Sequence, residues 1–215
     1  EKRPSFVVNF ASQSIVGASW KNPEHWYKTN VLSTVNLTQY LKDQTYLKKY
    51  VHISTPEVYG SCSGSVRENG LFNPSTPYAA SRAAADRFIQ LLIKSFNFPA
   101  VFTRAANVYG PGQQLFKIIP RSILYMKLGK KIPLHGGGEA QRSFIHIKDV
   151  CSATKEIMEK ADPGEIYHLS TPTLYSIKNI VGKIAQKLGK EFDEGGKLAA
   201  SGELNKDLLK ELNKL

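Results

Sequence analysis

The sequence predicts an α/β chain built around a mainly parallel sheet covered on both faces. Short apolar runs rich in β-branched and aromatic residues, FVVNF, YVHIST and AVFTRA, recur along it. Unbroken apolar strands of this kind belong in sheets buried on both sides. Longer segments carrying helix-start signals separate the runs, the alternation expected of parallel strands joined by helices. No internal repeat is visible.

In chain order, Phe6 to Phe10 reads as the first strand. Asn22 as N-cap, Pro23 at the first helical position and Glu24 in the first turn then predict a helix through Leu41. Tyr50 to Thr55 reads as a buried strand, Thr76-Pro77 opens a helix from Tyr78 to Phe96, and Ala100 to Ala105 gives a third strand. Past VYGPG the pattern changes to a helix over Leu115 to Leu128, a connection ending in Pro133, and the glycine run HGGGE before the strand RSFIHI. Asp149 is expected to cap a helix reaching Lys160, EIYHLS supplies one more strand, and from Tyr175 the chain reads as helical and lysine-rich.

A length of 215 residues with 41% hydrophobic content suffices for a sizeable core. No apolar run reaches the roughly 18 residues of a membrane span, and EKRPSFVVNF has no signal-peptide core, so a cytoplasmic protein without a membrane partner is expected. Cys62 and Cys151 are the only cysteines, which supports neither a disulfide framework nor a metal site. The net charge of +11 suits an anionic partner. A nucleic-acid module is disfavoured, because aromatic and basic residues do not interleave on one element.

Chemistry concentrates in two stretches. In STPYAASRAAAD, Tyr78 and Arg82 stand four residues apart and so on one helix face. A phenol titrates near pH ~10 and works as a base at neutral pH only beside a cation that favours the phenolate. In STPEVYG, Ser54, Thr55 and Glu57 fall at the end of a buried strand, the edge where parallel sheets bind ligands. A hydroxyl there can bond a substrate oxygen, and a carboxylate can move a proton at an adjacent carbon.

The blocks VVNFASQS, NPEHWYKTNV, VHISTPEVYG, PYAASRAAAD, TRAANVYGPGQ, GKKIPLHGGGEAQRSFIHIKDV and GEIYHLS follow one another as in the extended short-chain dehydrogenase/reductase family. The chain most resembles its dTDP-glucose 4,6-dehydratase-like nucleotide-sugar dehydratases, from Phe6 to about Leu188. The resemblance implies a Rossmann-like, doubly wound parallel sheet. Residues 1–110 would form a partial NAD(P)-binding domain and residues 111–215 mainly a substrate region, with 141–170 returning to the sheet. It also implies oxidation of a sugar at C4, loss of water across C5 and C6, and reduction at C6, with NAD as cofactor and NADP left open. A nucleoside-diphosphate sugar is the implied substrate, and a homodimer through a helix bundle the implied assembly.

By the same resemblance Tyr78 is the base at the C4 hydroxyl and Thr55 bonds that oxygen. Arg82 takes the place of the cation that holds the cofactor ribose, and Glu57 matches the group that removes the C5 proton. Phe10, Ala11, Ser12 and Thr29 match cofactor-lining positions. Asn107, Lys117 and Arg142 match groups that hold the substrate's diphosphate and nucleoside, with Pro133 and His135 near the base. His52, His146 and His168 read as sheet or core residues.

The chain departs from the family pattern in three places. Pro56 stands where these dehydratases carry an aspartate, Arg82 where they carry lysine, and the glycine-rich turn expected before VVNF is missing, so the chain alone is expected to bind NAD poorly. A decarboxylase or epimerase of the same family, or a silent nucleotide-sugar binder, also fits these residues.

Overall fold

The computed structural model describes residues 2–62 and 64–190. Its strands are β1 (Phe6–Asn9), β2 (Lys49–Ile53), β3 (Ala100–Ala105), β4 (Asn107–Tyr109), β5 (Gln141–His146), β6 (Ile166–Leu169) and β7 (Leu174–Ser176). Its helices are α1 (Pro23–Trp26), α2 (Ser33–Leu41), α3 (Pro77–Phe96), α4 (Ile118–Lys127), α5 (Ile147–Lys160) and α6 (Ile177–Lys187).

Two compact units divide the chain. The first takes the described residues up to Ala106 together with Lys148–Ser170. Its sheet runs β1-β2-β3-β6 with every pair parallel, the Rossmann-like α/β arrangement. Tyr50, Ala100 and Phe102 lie in the core with Leu41 of α2 and Ile89 and Leu92 of α3. Removing such side chains from water at roughly 25 cal/mol per Å² is what fixes these helices on the sheet.

The α3 boundaries follow from its caps. Thr76 Oγ1 accepts from the Ala79 amide at 3.1 Å, Pro77 occupies the first turn, and Asn97 closes the helix at φ 53°. The helix expected over 23–41 is continuous but not uniform: a π-helical stretch, Tyr27–Leu32, separates α1 from α2. Asn22 holds the N-cap position without a side-chain capping bond.

The second unit takes Asn107–Ile147 and the described residues from Thr171 onward. Here β4 pairs parallel with β5, and β5 pairs antiparallel with β7. Helix α4 packs on α6 around Met126, Ile132, Val181 and Ala185. Residues 141–146, expected to return to the large sheet with 141–170, pair instead with β4 and β7; only the later part of that segment, through β6, rejoins it. Asp149 sits inside the first turn of α5 and does not cap it, because Ile147 and Lys148 are already helical. The tail expected to be helical beyond residue 190 lies outside the described residues.

Candidate functional site

Parallel pairing sets the site. Asn9 and His52 are register partners, so β1 and β2 end at one edge of the sheet and deliver residues 10–12 and 54–57 side by side. Open α/β sheets bind ligands at this carboxyl edge. Phe10 is 65% exposed there. The Ala11 amide is held by Asn9 Oδ1 at 3.0 Å, and Asn9 Nδ2 donates to Tyr50 Oη at 2.8 Å. Burial pushes the Tyr50 phenol up to about 12, so it stays protonated as part of the strand-end scaffold.

Directly after β2, Thr55 begins a 3₁₀ turn, Pro56–Tyr59, and its Oγ1 accepts from the Glu57 amide at 3.2 Å. Thr55 is buried, whereas Glu57 is exposed. Pro56 suits the first position of this turn, where its missing N–H has no partner to lose. The turn packs on α3 through Val58, Tyr59 and Ala83. It ends at Gly60, φ 70°, where a Cβ would stand 2.0 Å from the Asn73 carbonyl oxygen. Only glycine allows the returning chain to pass so close.

Tyr78 lies buried in the first turn of α3. Arg82, one turn on, is 1% exposed: its guanidinium donates to the Ile53 carbonyl oxygen, and Nη2 lies 3.3 Å from His52 Nε2. The cation expected beside Tyr78 is therefore committed to the end of β2, next to the Thr55–Glu57 turn. His52 lies fully buried, and desolvation together with the Arg82 and Arg104 guanidiniums holds its imidazole well below the ordinary range.

Two features were not read from the sequence. Asn30, buried in the π-helical stretch beside half-buried Thr29, bonds both the amide and the carbonyl of Gln13 at 2.8 and 3.1 Å. It also donates to Ser81 Oγ at 2.9 Å, and Ser81 bonds the Tyr78 carbonyl at 2.7 Å. This clasp ties the loop after β1 to the turn bearing Tyr78, and π-helical turns often mark such sites. The second feature is the buried pair Asp86–Arg104, 2.9 Å apart, whose signal was an arginine in the otherwise apolar strand AVFTRA. Arg104 also donates to the Tyr59 hydroxyl, and the same hydroxyl lies 2.8 Å from His168 Nε2. His168 in turn has Glu68 3.6 Å away.

The remaining candidates belong to the second unit. Asn107 opens β4, and Lys117 stands at the N-cap position of α4 with Nζ 5.4 Å over the Phe116 ring. Pro133 and His135 are exposed, with His135 starting a 3₁₀ turn. Arg142 is exposed on β5, opposite Tyr175. This unit carries ample exposed positive charge for an anionic group, including Lys127, Lys130, Lys131 and Lys183. Among the described residues no group of His, Cys, Asp and Glu is placed to hold a metal ion, and no helix is long and apolar enough to cross a membrane.

Comparison with known proteins agrees with this fold. A dTDP-D-glucose 4,6-dehydratase of Dictyostelium discoideum is 34% identical over 196 residues, covering 86% of this chain and 45% of that protein. The chain thus spans about half the length of the relative. A crystal structure of dTDP-glucose 4,6-dehydratase from Bacillus anthracis in complex with NAD superposes with a TM-score of 0.81 at 31% identity, over 98% of this chain and 66% of the other. UDP-glucuronic acid 4-epimerase from Bacillus cereus, solved with UDP-glucuronic acid and NAD, gives 0.83 at 30% identity over 87% of this chain and 60% of the other. A sequence profile described as GDP-mannose 4,6 dehydratase matches residues 1–213, and the chain belongs to that family, within the extended short-chain dehydrogenase/reductases.

Proposed function

We propose that the protein is an NAD-dependent nucleotide-sugar 4,6-dehydratase. The observation that carries this reading is the meeting of a hydroxyl and a carboxylate, Thr55 and Glu57, with a helix bearing Tyr78, at the sheet edge where residues 10–12 also emerge.

The residues at this edge fit NAD. Exposed Phe10, with Ala11, Ser12 and Thr29, offers an apolar and hydroxyl lining at the carboxyl edge of β1, held in place by Asn9 and Asn30. Bound NAD would supply a reversible two-electron oxidation, accepting a hydride from C4 and returning it at C6. Tyr78 takes the proton of the C4 hydroxyl and Thr55 bonds the same oxygen. Arg82 places its positive charge one helical turn from Tyr78. Once C4 is a ketone, the C5 proton is acidic, and exposed Glu57 removes it while the C6 hydroxyl departs as water. Pro56 leaves Glu57 as the single carboxylate of the turn, so the proton it takes from C5 is also the one available to the departing hydroxyl. Lys117 and Arg142 hold the diphosphate, a role that calls for fixed positive charge. Asn107, Pro133 and His135 complete the nucleoside end.

A homodimer through α2 and α3 is supported by apolar side chains left exposed on these packed helices. Leu37 is 37%, Tyr40 55%, Leu91 61% and Phe96 58% exposed. Exposed, unpaired Cys62 and Cys151 suit the reducing cytoplasm.

The test is incubation of the full-length protein and NAD with a panel of nucleoside-diphosphate hexoses and their uronic acids, followed by mass analysis. Loss of one water with a new ketone is expected. Pro56, where the dehydratases carry an acid, leaves a decarboxylase of the same family as second reading, and Glu57 counts against an epimerase. Those reactions give loss of carbon dioxide or an unchanged mass.

A further inference from the structure

Helix α3 is tied to two strand ends by ionised side chains for which the proposed reaction has no use. Asp86 stands about two turns beyond Tyr78 and is fully shielded from solvent. Its Oδ2 accepts from Ser54 Oγ at 2.7 Å and from Arg104 Nη2 at 2.9 Å. Ser54 immediately precedes Thr55. Arg104 carries the connection to the Tyr59 hydroxyl, at the far end of the turn that holds Glu57. One carboxylate therefore grips the Thr55–Glu57 segment from both sides, directly at Ser54 and through Arg104 at Tyr59.

Stability alone is a poor reason for such an arrangement. A buried ion pair adds little over apolar packing of the same volume, and here the Nε atoms of Arg82 and Arg104 are buried without hydrogen-bond partners. What a charge-assisted bond supplies is direction and a short, fixed length. We propose that Asp86 is a positioning residue, which fixes Thr55 and Glu57 on the strand end against Tyr78 on α3.

The proposal rests on the dehydratase reading for its kinetic consequence and on geometry alone for its structural one, so two readouts separate them. Ser54→Ala deletes one grip and leaves the Asp86–Arg104 pair intact, and Ser54→Thr keeps the hydroxyl. Hydrogen exchange of backbone amides in residues 54–60 should speed about tenfold or more in Ser54→Ala, the scale of a hydrogen bond to a charged group. Turnover should fall about tenfold while KM stays within about twofold, the pattern of a lost transition-state arrangement. Ser54→Thr should restore both. Exchange in Ser54→Ala at the native rate, or Ser54→Thr exchanging as fast as Ser54→Ala, overturns the proposal. A native protein that turns over no nucleotide sugar refutes the dehydratase reading, and the exchange result still decides the positioning claim.

Discussion

Arg104 Nη2 stands 2.9 Å from Asp86 Oδ2, with both side chains wholly shielded from water. Burial drives the Asp86 carboxyl upward in pKa while the guanidinium pulls it back, so each charge depends on the other. Arg104→Met strands the carboxylate and should cost about 3–5 kcal/mol in denaturant unfolding. Combined with Asp86→Leu, the loss should be less than the sum of the single changes by about 1 kcal/mol or more. Strict additivity would show that the pair does not interact.

Gly60 closes the turn that carries Glu57 at φ 70°, under the Asn73 carbonyl. Gly60→Ala forces that carbonyl away or the turn open. It should lower stability by about 1–3 kcal/mol and turnover with it, measured by thermal unfolding and steady-state rates on the same preparation. A fully stable, fully active variant would contradict the described close approach.

His52 and His168 both have depressed pKa values, chiefly through burial. A depressed histidine contributes stability that is present above its unfolded value, 6.5, and lost as pH falls towards the folded value. The melting temperature should therefore fall on acidification below about pH 6.5. Asp86, raised in the fold, works in the opposite sense but only nearer its unfolded value of 3.8 and above it up to its folded value. His168→Gln should flatten the dependence between about pH 6.5 and 5. An unchanged slope in that variant would remove His168 from the account.

Arg82 bonds the Ile53 carbonyl, and lysine in its place is shorter in donors and more compact. Arg82→Lys should lose about 1–3 kcal/mol of stability and bind NAD more tightly, read by unfolding and by equilibrium titration. The same NAD affinity in both proteins would take position 82 out of the cofactor's contacts.

How much of this the sequence discloses depends on the range of the interaction. Helix α3 was legible because Thr76, Pro77 and the apolar stripe are local signals, and β3 was read to its exact bounds from AVFTRA. The strand-end placement of Thr55 and Glu57 follows from the same local pattern. The π-helical stretch was not legible: it coincides with the tertiary clasp of Asn30 on Gln13 and Ser81, which no local pattern encodes, and an extra residue in a helical turn leaves no mark on composition. Asp149 was misread as a cap because Ile147 and Lys148, which begin the helix, carry no start signal of their own. The inward course of Arg82 depends on His52 and Ile53, thirty and twenty-nine positions away, which no local pattern encodes. Departures at Pro56 and Arg82 were visible at once, but only the fold shows that both belong to one junction.

The central claim is that Glu57 takes the C5 proton of a sugar oxidised at C4. The most direct measurement is turnover of an accepted nucleotide sugar in deuterated water by the native protein and by Glu57→Gln. The native protein should release a keto sugar that has lost one water and carries a single solvent deuterium at C5, because the C5 proton leaves with the water and C5 is reprotonated from solvent when the hydride returns at C6; Glu57→Gln should slow this by about a hundredfold or more. A keto product without solvent deuterium, or an equal rate in Glu57→Gln, would contradict the claim.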